Sequence, residues 1–224
     1  MADDGLILTL AVIGGTGKEG TGLANRWARA GYNVVIGSRS LEKAEAAAKE
    51  LNDRLGEAVV RGMLNAEAAR ACDIAILTVP YAAHAATLES IREMLAGKVL
   101  VDVTVPVRPP KVSVVHVPEH GSAAQEAQAV LGESVRVVSA FQNVSHEHLS
   151  EDHPIACDVL VSGDDDEAKA ETLRLVEAAG MVGWDAGPLA NAIVAEGMTS
   201  VLIGINRRYK MKGAGIRITG TDKA

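Results

Sequence analysis

A chain of 224 residues, 48% hydrophobic and 23% charged, holds one full domain plus a small appendage, which excludes a three-domain enzyme and a disordered chain. A formal net charge of −7 excludes a nucleic-acid binder, because gripping a phosphate backbone takes a basic stripe and none is evident. Aromatic residues are only 3% of the sequence, so the core is expected to be aliphatic and rich in alanine.

The first expected element is the apolar run from Leu6 to Ile13, which meets a glycine turn at Gly14 and continues into a helix-compatible segment. Residues 1–5 ahead of it are acidic and resemble no secretory signal, which gives an expectation of cytoplasmic location. Gly15, Gly17 and Gly20 fit the pattern G-x-G-x-x-G. The first glycine permits the tight turn, the second lets backbone approach a pyrophosphate, and the third packs helix on sheet. Gly20, Ala24 and Ala28 then share a small-residue face. Free N–H groups and the positive dipole end of the helix complete a phosphate site.

A second strand, Asn33 to Ile36, ends at Gly37-Ser38-Arg39, where the pattern expects an acid for the ribose 2′-hydroxyl of NAD. No acid stands there. Ser38 can donate to a phosphate oxygen, Arg39 offers a fork of charged donors, and Lys43 follows one turn into the next helix. The expected cofactor is therefore NADP. The plainer alternative makes Ser38 a helix-terminal residue and Arg39 a solvated charge.

Further along, a helix is expected over Leu41 to Leu55, a short strand over Ala58 to Gly62 and a helix over Asn65 to Ala71. Asp73 to Val79 is a clear strand stopped by Pro80, and its carboxyl end makes Thr78, Val79, Pro80 and Tyr81 candidate cofactor neighbours. A helix from Ala83 to Leu95 leads to the strand Lys98 to Val103, and Thr104 to Pro110, with three prolines, is an extended loop. A helix over Ser122 to Leu131 and a sixth strand over Ser134 to Ala140 complete an alternating order. That order predicts an α/β fold with a doubly wound, mostly parallel Rossmann-type sheet ending near residue 150.

Ala140-Phe-Gln-Asn-Val144 marks the sixth strand end, where Gln142 and Asn143 are polar beside the place expected for the nicotinamide half. A capped loop is the competing reading. His146, His148 and His153, with Cys157 nearby, fit no metal-site spacing, and the histidines read as solvated residues of a polar connector. Cys72 and Cys157 read as reduced core residues. The acids Asp164 to Glu167 complement the dipole of the helix Ala168 to Ala179, and Met181 to Asp185 is a last strand-like piece. A helix from Leu189 to Ile205 is apolar on most sides, with a seam at Ala190, Val194, Gly197, Val201 and Gly204. It suits burial in a partner subunit better than a membrane, given Glu196 at its middle. Residues 151–224 thus form a small C-terminal α+β part ending in the basic residues Arg207, Arg208, Lys210, Lys212 and Arg217, read either as a second anion site or as a solvated tail.

No Tyr-x-x-x-Lys pair, Ser/His/Asp set or metal cluster stands out, so no catalytic side chain is expected. Hydride exchange between two rings held face to face needs none. The runs Gly14 to Ala24, Ile36 to Arg39 with Lys43, Ala71 to Pro80, Val138 to Ala140, Gly163 to Asp166 and Asp185 to Leu189 resemble, in order and over nearly the whole chain, the NADPH-dependent reductases of coenzyme F-420 (F420), an 8-hydroxy-5-deazaflavin. The resemblance implies reversible hydride exchange between reduced F420 and NADP in a homo-oligomer. It places Thr16, Gly17, Lys18 and Glu19 on the pyrophosphate turn that the pattern opens at Gly15, and Ser38, Arg39 and Lys43 on the 2′-phosphate. Val79, Pro80, Tyr81 and the backbone after Ala140 would flank the nicotinamide, with the deazaflavin near Gln142, Val144 and the final helix. Gln142 stands where family members often carry histidine, and Ser145 where they carry proline. Two other functions fit the same motifs: an NADPH-dependent flavin or metal reductase, and a non-catalytic NADP-sensing module.

Overall fold

The computed structural model describes residues 7–151 and 153–220. Leu6 and the acidic residues 1–5, assigned above to the strand start and to the absence of a signal, lie outside the described residues. The sheet has eight strands in the order β3-β2-β1-β4-β5-β6-β7-β8, where β1 is Thr9–Ile13, β2 Asn33–Ser38, β3 Val60–Leu64, β4 Ile74–Leu77, β5 Val99–Asp102, β6 Arg136–Ser139, β7 Asp158–Gly163 and β8 Val182–Asp185. Neighbours from β3 across to β6 are parallel. β7 pairs antiparallel to β6, and β8 runs parallel to β7. The chain winds outward from β1 in both directions, so a crevice opens beyond the carboxyl ends of β1 and β4, where the order reverses.

Alternation along the strands sorts the core into two layers. Leu10, Val12 and Ile36 face Leu23, Ala24 and Trp27 of α1 (Lys18–Arg29), Ala44 and Ala48 of α2 (Leu41–Leu55), and Leu175 of α7 (Asp166–Ala178). Ala11, Ile13 and Val35 face α3 (Asn65–Ala71), α4 (His84–Ile91) and α5 (Ala123–Leu131) on the opposite side. The last long helix, α8, spans Ala192–Tyr209 after a 3-10 turn over Leu189–Asn191.

The structure departs from the sequence expectation in four places. β3 is shifted two residues on, to Val60–Leu64. β7 has no counterpart in the sequence reading, since its apolar run follows a polar connector and pairs only with distant residues, and with β8 it carries the sheet past residue 150, where the sequence reading ends it. The connector itself contains a short helix, α6 (His146–Leu149), whose Leu149 is fully buried. It is therefore not a wholly solvated loop. Beyond α8 the chain returns to the sheet: Ile216 accepts from the backbone N–H of Asp158 at 2.8 Å, and Ile218 donates its own N–H to the Asp158 carboxylate at 2.8 Å. The basic side chains of that tail remain exposed, as do Met211 and Ile218.

One helix organises this edge. Arg26 of α1 donates to the carbonyls of His148, Leu149, Glu151, His153 and Ala179 at 2.5–3.3 Å. At the next position, the Trp27 indole donates to Leu175 O at 2.9 Å and meets Phe141 edge to face, with centroids 5.7 Å apart. A buried guanidinium spread over several carbonyls satisfies a loop that carries no ladder hydrogen bonds of its own. Arg26→Ala removes the guanidinium donors from those carbonyls and should lower the unfolding free energy by about 3 kcal/mol, read as a fall in the urea midpoint. A loss under about 1 kcal/mol would mean that water replaces the guanidinium.

Candidate functional site

The glycine turn at the end of β1 is built by close approach. Gly14 has φ +70°, a left-handed conformation that disfavours side chains, and a Cβ there would collide with Val79 Cγ1. A Cβ on Gly20 would lie 2.6 Å from Gly15 Cα and 2.8 Å from Thr78 Oγ1. Gly15 is buried and structural, its N–H shared between Val12 O at 3.2 Å and Gly37 O at 3.0 Å. Thr16, Gly17 and Lys18 are exposed, and Gly17, the residue capping α1, has open space where a Cβ would stand. The α1 N-terminus thus opens onto the crevice with no side-chain cap of its own. An anion is the natural partner for such a terminus.

A cleft of about 880 Å³ starts at this turn. It brings Thr16, Gly17, Lys18 and Glu19 together with Ser38, Arg39 and Lys43 on one side and Val79, Pro80 and Tyr81 on the other. Ser38 is buried and its hydroxyl accepts from Ser40 N–H at 3.2 Å, while Arg39 and Lys43 are exposed. Ser40 in turn caps α2 at the Lys43 N–H, 3.4 Å away. The helix begins here because of that cap, and it turns Lys43 toward the same corner as Arg39.

Sequence reasoning missed several walls of this cleft. Asn65, at the start of α3, accepts from Gly14 N–H at 3.2 Å and so fixes the turn. Val103, Thr104, Val105, Val107 and Pro109 line the side beyond β5. The proline run was legible as a stiff loop near this edge, but nothing in its composition says which side chains face inward.

A second cavity, about 360 Å³, adjoins the first and is lined by Phe141, Gln142, Asn143, Val144, Ser145 and His146 with Thr199, Leu202 and Ile203 of α8. Glu19, Val103 and Val105 line both spaces. Ala140 is fully buried at the end of β6, beside this cavity in sequence but not among its lining residues. Phe141 has φ +72°, a strained conformation for a bulky residue, and its ring is turned into the core against Trp27. Gln142 Nε2 donates to Asp102 O at 2.7 Å and to Ser139 Oγ at 2.8 Å, and Thr199 donates its hydroxyl to Gln142 O at 2.6 Å. Among the described residues nothing pairs with Glu19 Oε1, Gln142 Oε1, Asn143 Oδ1 or Thr104 Oγ1, all shielded from solvent. Orphaned buried acceptors of this kind are rare, and a ligand with N–H or O–H donors satisfies them.

Behind the strand ends lies a buried polar group that sequence reasoning also missed. His84 Nε2 donates to the Asp102 carboxylate at 2.7 Å, and both residues are buried. Burial pulls the His84 pKa down, but the Asp102 hydrogen bond and charge more than offset it and hold it above the ordinary value. Asp102 also accepts from Thr104 N–H at 2.9 Å, which fixes the turn leading into the proline loop. Glu196 of α8 accepts from Ala123 and Ala124 N–H at 2.7 and 3.1 Å, and so caps α5. Burial pushes its carboxyl up to about 8 against the pull of those two donors. Tyr81 donates its hydroxyl to Glu126 at 3.0 Å, and its pKa is raised to about 12 by burial and by that carboxylate.

Comparison with known proteins agrees with this architecture. Residues 9–106 match the family model described as "NADP oxidoreductase coenzyme F420-dependent". The F420-dependent NADP reductase of Methanocaldococcus jannaschii is 42% identical over 224 residues, covering 96% of this chain and all of the relative. That of Methanothermobacter thermautotrophicus is 41% identical over 223 residues and 96% of each chain. Among solved structures, a candidate F420-dependent NADP reductase of Arthrobacter sp. FB24 superposes with a TM-score of 0.80 at 26% identity, over 95% of this chain and 99% of its own. The chain belongs to the F420-dependent NADP reductase family.

Proposed function

We propose that the large cleft holds NADP, that the adjoining cavity holds the deazaflavin ring of F420, and that the chain carries hydride between them. The observation that carries this reading is the shared wall: Glu19, Val103 and Val105 line both spaces, so the nicotinamide end of one ligand meets the second ligand there. The pyrophosphate rests on the N–H groups at the start of α1, beside Thr16, Gly17 and Lys18. Ser38, Arg39 and Lys43 grip the 2′-phosphate, with no acid to repel it. Val79, Pro80 and Tyr81 flank the nicotinamide half. Gln142, Asn143 and Val144 border the deazaflavin, whose ring N–H groups match the orphaned acceptors of that cavity. The two rings supply the hydride chemistry, and the protein contributes alignment and a dry enclosure.

In this reading residues 1–150 form the NADP-binding part, and residues 151–224 supply the edge strands and the helix that closes the second cavity. The outer face of α8 is the surface that a second copy covers. Val194 and Val201 are 54% and 45% exposed there, and Val115 at 45% stands against Gly197, where a Cβ would lie 3.3 Å from Val115 Cγ1. By length and hydropathy alone the stretch Leu189–Tyr209 could cross a membrane. Its buried Glu196 and Ser200 tie it instead to the body of the protein, as a core-and-interface helix. The workplace is the cytoplasm, where Cys72 and Cys157 stay as the free thiols seen here.

Three outcomes are expected. Purified protein should bleach NADPH absorbance when oxidised F420 is added; turnover with FMN and none with F420 would favour a flavin reductase, and nucleotide binding without turnover a sensor. Arg39→Ala should weaken NADP binding by about 10- to 100-fold while leaving weak NAD binding unchanged, measured by fluorescence titration; equal losses for both nucleotides would detach Arg39 from the 2′-phosphate. Light scattering should give a multiple of the single-chain mass, reduced to one chain by the double substitution Val194→Glu and Val201→Glu. A single-chain mass for the unmodified protein would remove the proposed interface.

A further inference from the structure

A carboxyl group is an odd occupant for a site that receives a polyanion. Glu19 stands in the first turn of α1 and lines both cavities, the cleft it shares with Ser38 and Arg39 and the smaller space that those two do not line. Its Oε1 is shielded from water and pairs with nothing among the described residues. The other charged or titratable groups on the two cavities are Lys18, Arg39, Lys43 and Tyr81 on the cleft and His146 on the smaller space. Of the buried carboxylates in the neighbouring elements, Asp102 is committed to His84 and Glu196 to the start of α5. Glu19 is therefore a partly buried carboxyl with one oxygen shut off from solvent and unpaired among the described residues, and burial lifts its pKa from 4.5 to about 8.

The ligand end that reaches this junction is the one whose charge changes in the reaction. Oxidised nicotinamide is a cation and reduced nicotinamide is neutral, while the phosphates are the same in both. We infer that Glu19 matches its charge to the nicotinamide: its carboxyl stays protonated beside the neutral reduced ring and ionises beside the cationic oxidised ring. Resting on the NADP placement above, the inference makes Glu19 the residue that distinguishes the two redox states of the cofactor. An adjacent cation favours the charged form of a carboxylic acid, and the proton it loses passes to solvent. The binding of oxidised cofactor then releases a proton that the binding of reduced cofactor does not.

Titration calorimetry of the full-length protein at pH 7, with NADP+ and with NADPH, each in two buffers of different ionisation enthalpy, counts those protons directly. The 2′-phosphate contributes equally to both nucleotides, so the difference isolates the nicotinamide end. The expected result is close to one more proton released with NADP+ than with NADPH. In Glu19→Gln that difference should vanish, and NADP+ should lose about tenfold more affinity than NADPH does. Equal proton counts for the two nucleotides in the unmodified protein overturn the inference, whatever the variant does, and so does a difference that survives in Glu19→Gln. Failure of both nucleotides to bind the unmodified protein overturns the NADP placement as well, which keeps the two failures apart.

Discussion

The near contact of backbone with backbone where α1 leaves the sheet sets the geometry of everything downstream. With Gly20 pressed against Gly15 and Thr78, the first turn of α1 lies almost on the ends of β1 and β4, and its free N–H groups point into the crevice between them. A side chain at either glycine would lift the helix and withdraw those donors. The same helix, two turns later, carries Arg26 and Trp27, which pin the connector after β6 and the edge helix α7. One rigid rod therefore fixes the phosphate corner at its start and the second cavity at its end. The distance between the two ligand sites is set by a single element rather than by loops.

Much of this was legible in the sequence because it rests on local rules. The glycine spacing, the missing acid after the second strand and the β-α alternation each depend on residues close together in the chain, and the cleft unites Thr16, Gly17, Lys18, Glu19, Ser38, Arg39, Lys43, Val79, Pro80 and Tyr81 as the motifs suggest. Arg26 shows where such reading stops. On a helix wheel it is one of several arginines, and its five carbonyl partners lie more than 120 positions away. β7 escaped for the same reason, as a strand defined by its partners β6 and β8 rather than by turn signals of its own. Glu196 reads as an intrusion in an apolar helix until α5 is brought against it.

Those long-range polar contacts also explain how an acidic protein receives ligands that are themselves anionic. A net charge of −7 would oppose a phosphate-bearing cofactor if the carboxylates faced the cleft. Instead the acids nearest the strand ends are internally matched. Asp102 is spent on His84 and the Thr104 N–H, Glu196 on two amides of α5, and Glu126 on the Tyr81 hydroxyl. What remains toward the cleft is the helix terminus with Lys18, Arg39 and Lys43, a field that is locally positive although the whole molecule is not. Specific anion binding requires that the charges within a few ångströms be arranged, since those beyond a Debye length are largely screened. Glu19 is the exception among the acids. Its environment holds it neutral by burial rather than by a partner, and a group neutral only through desolvation is the one that an incoming cation can switch.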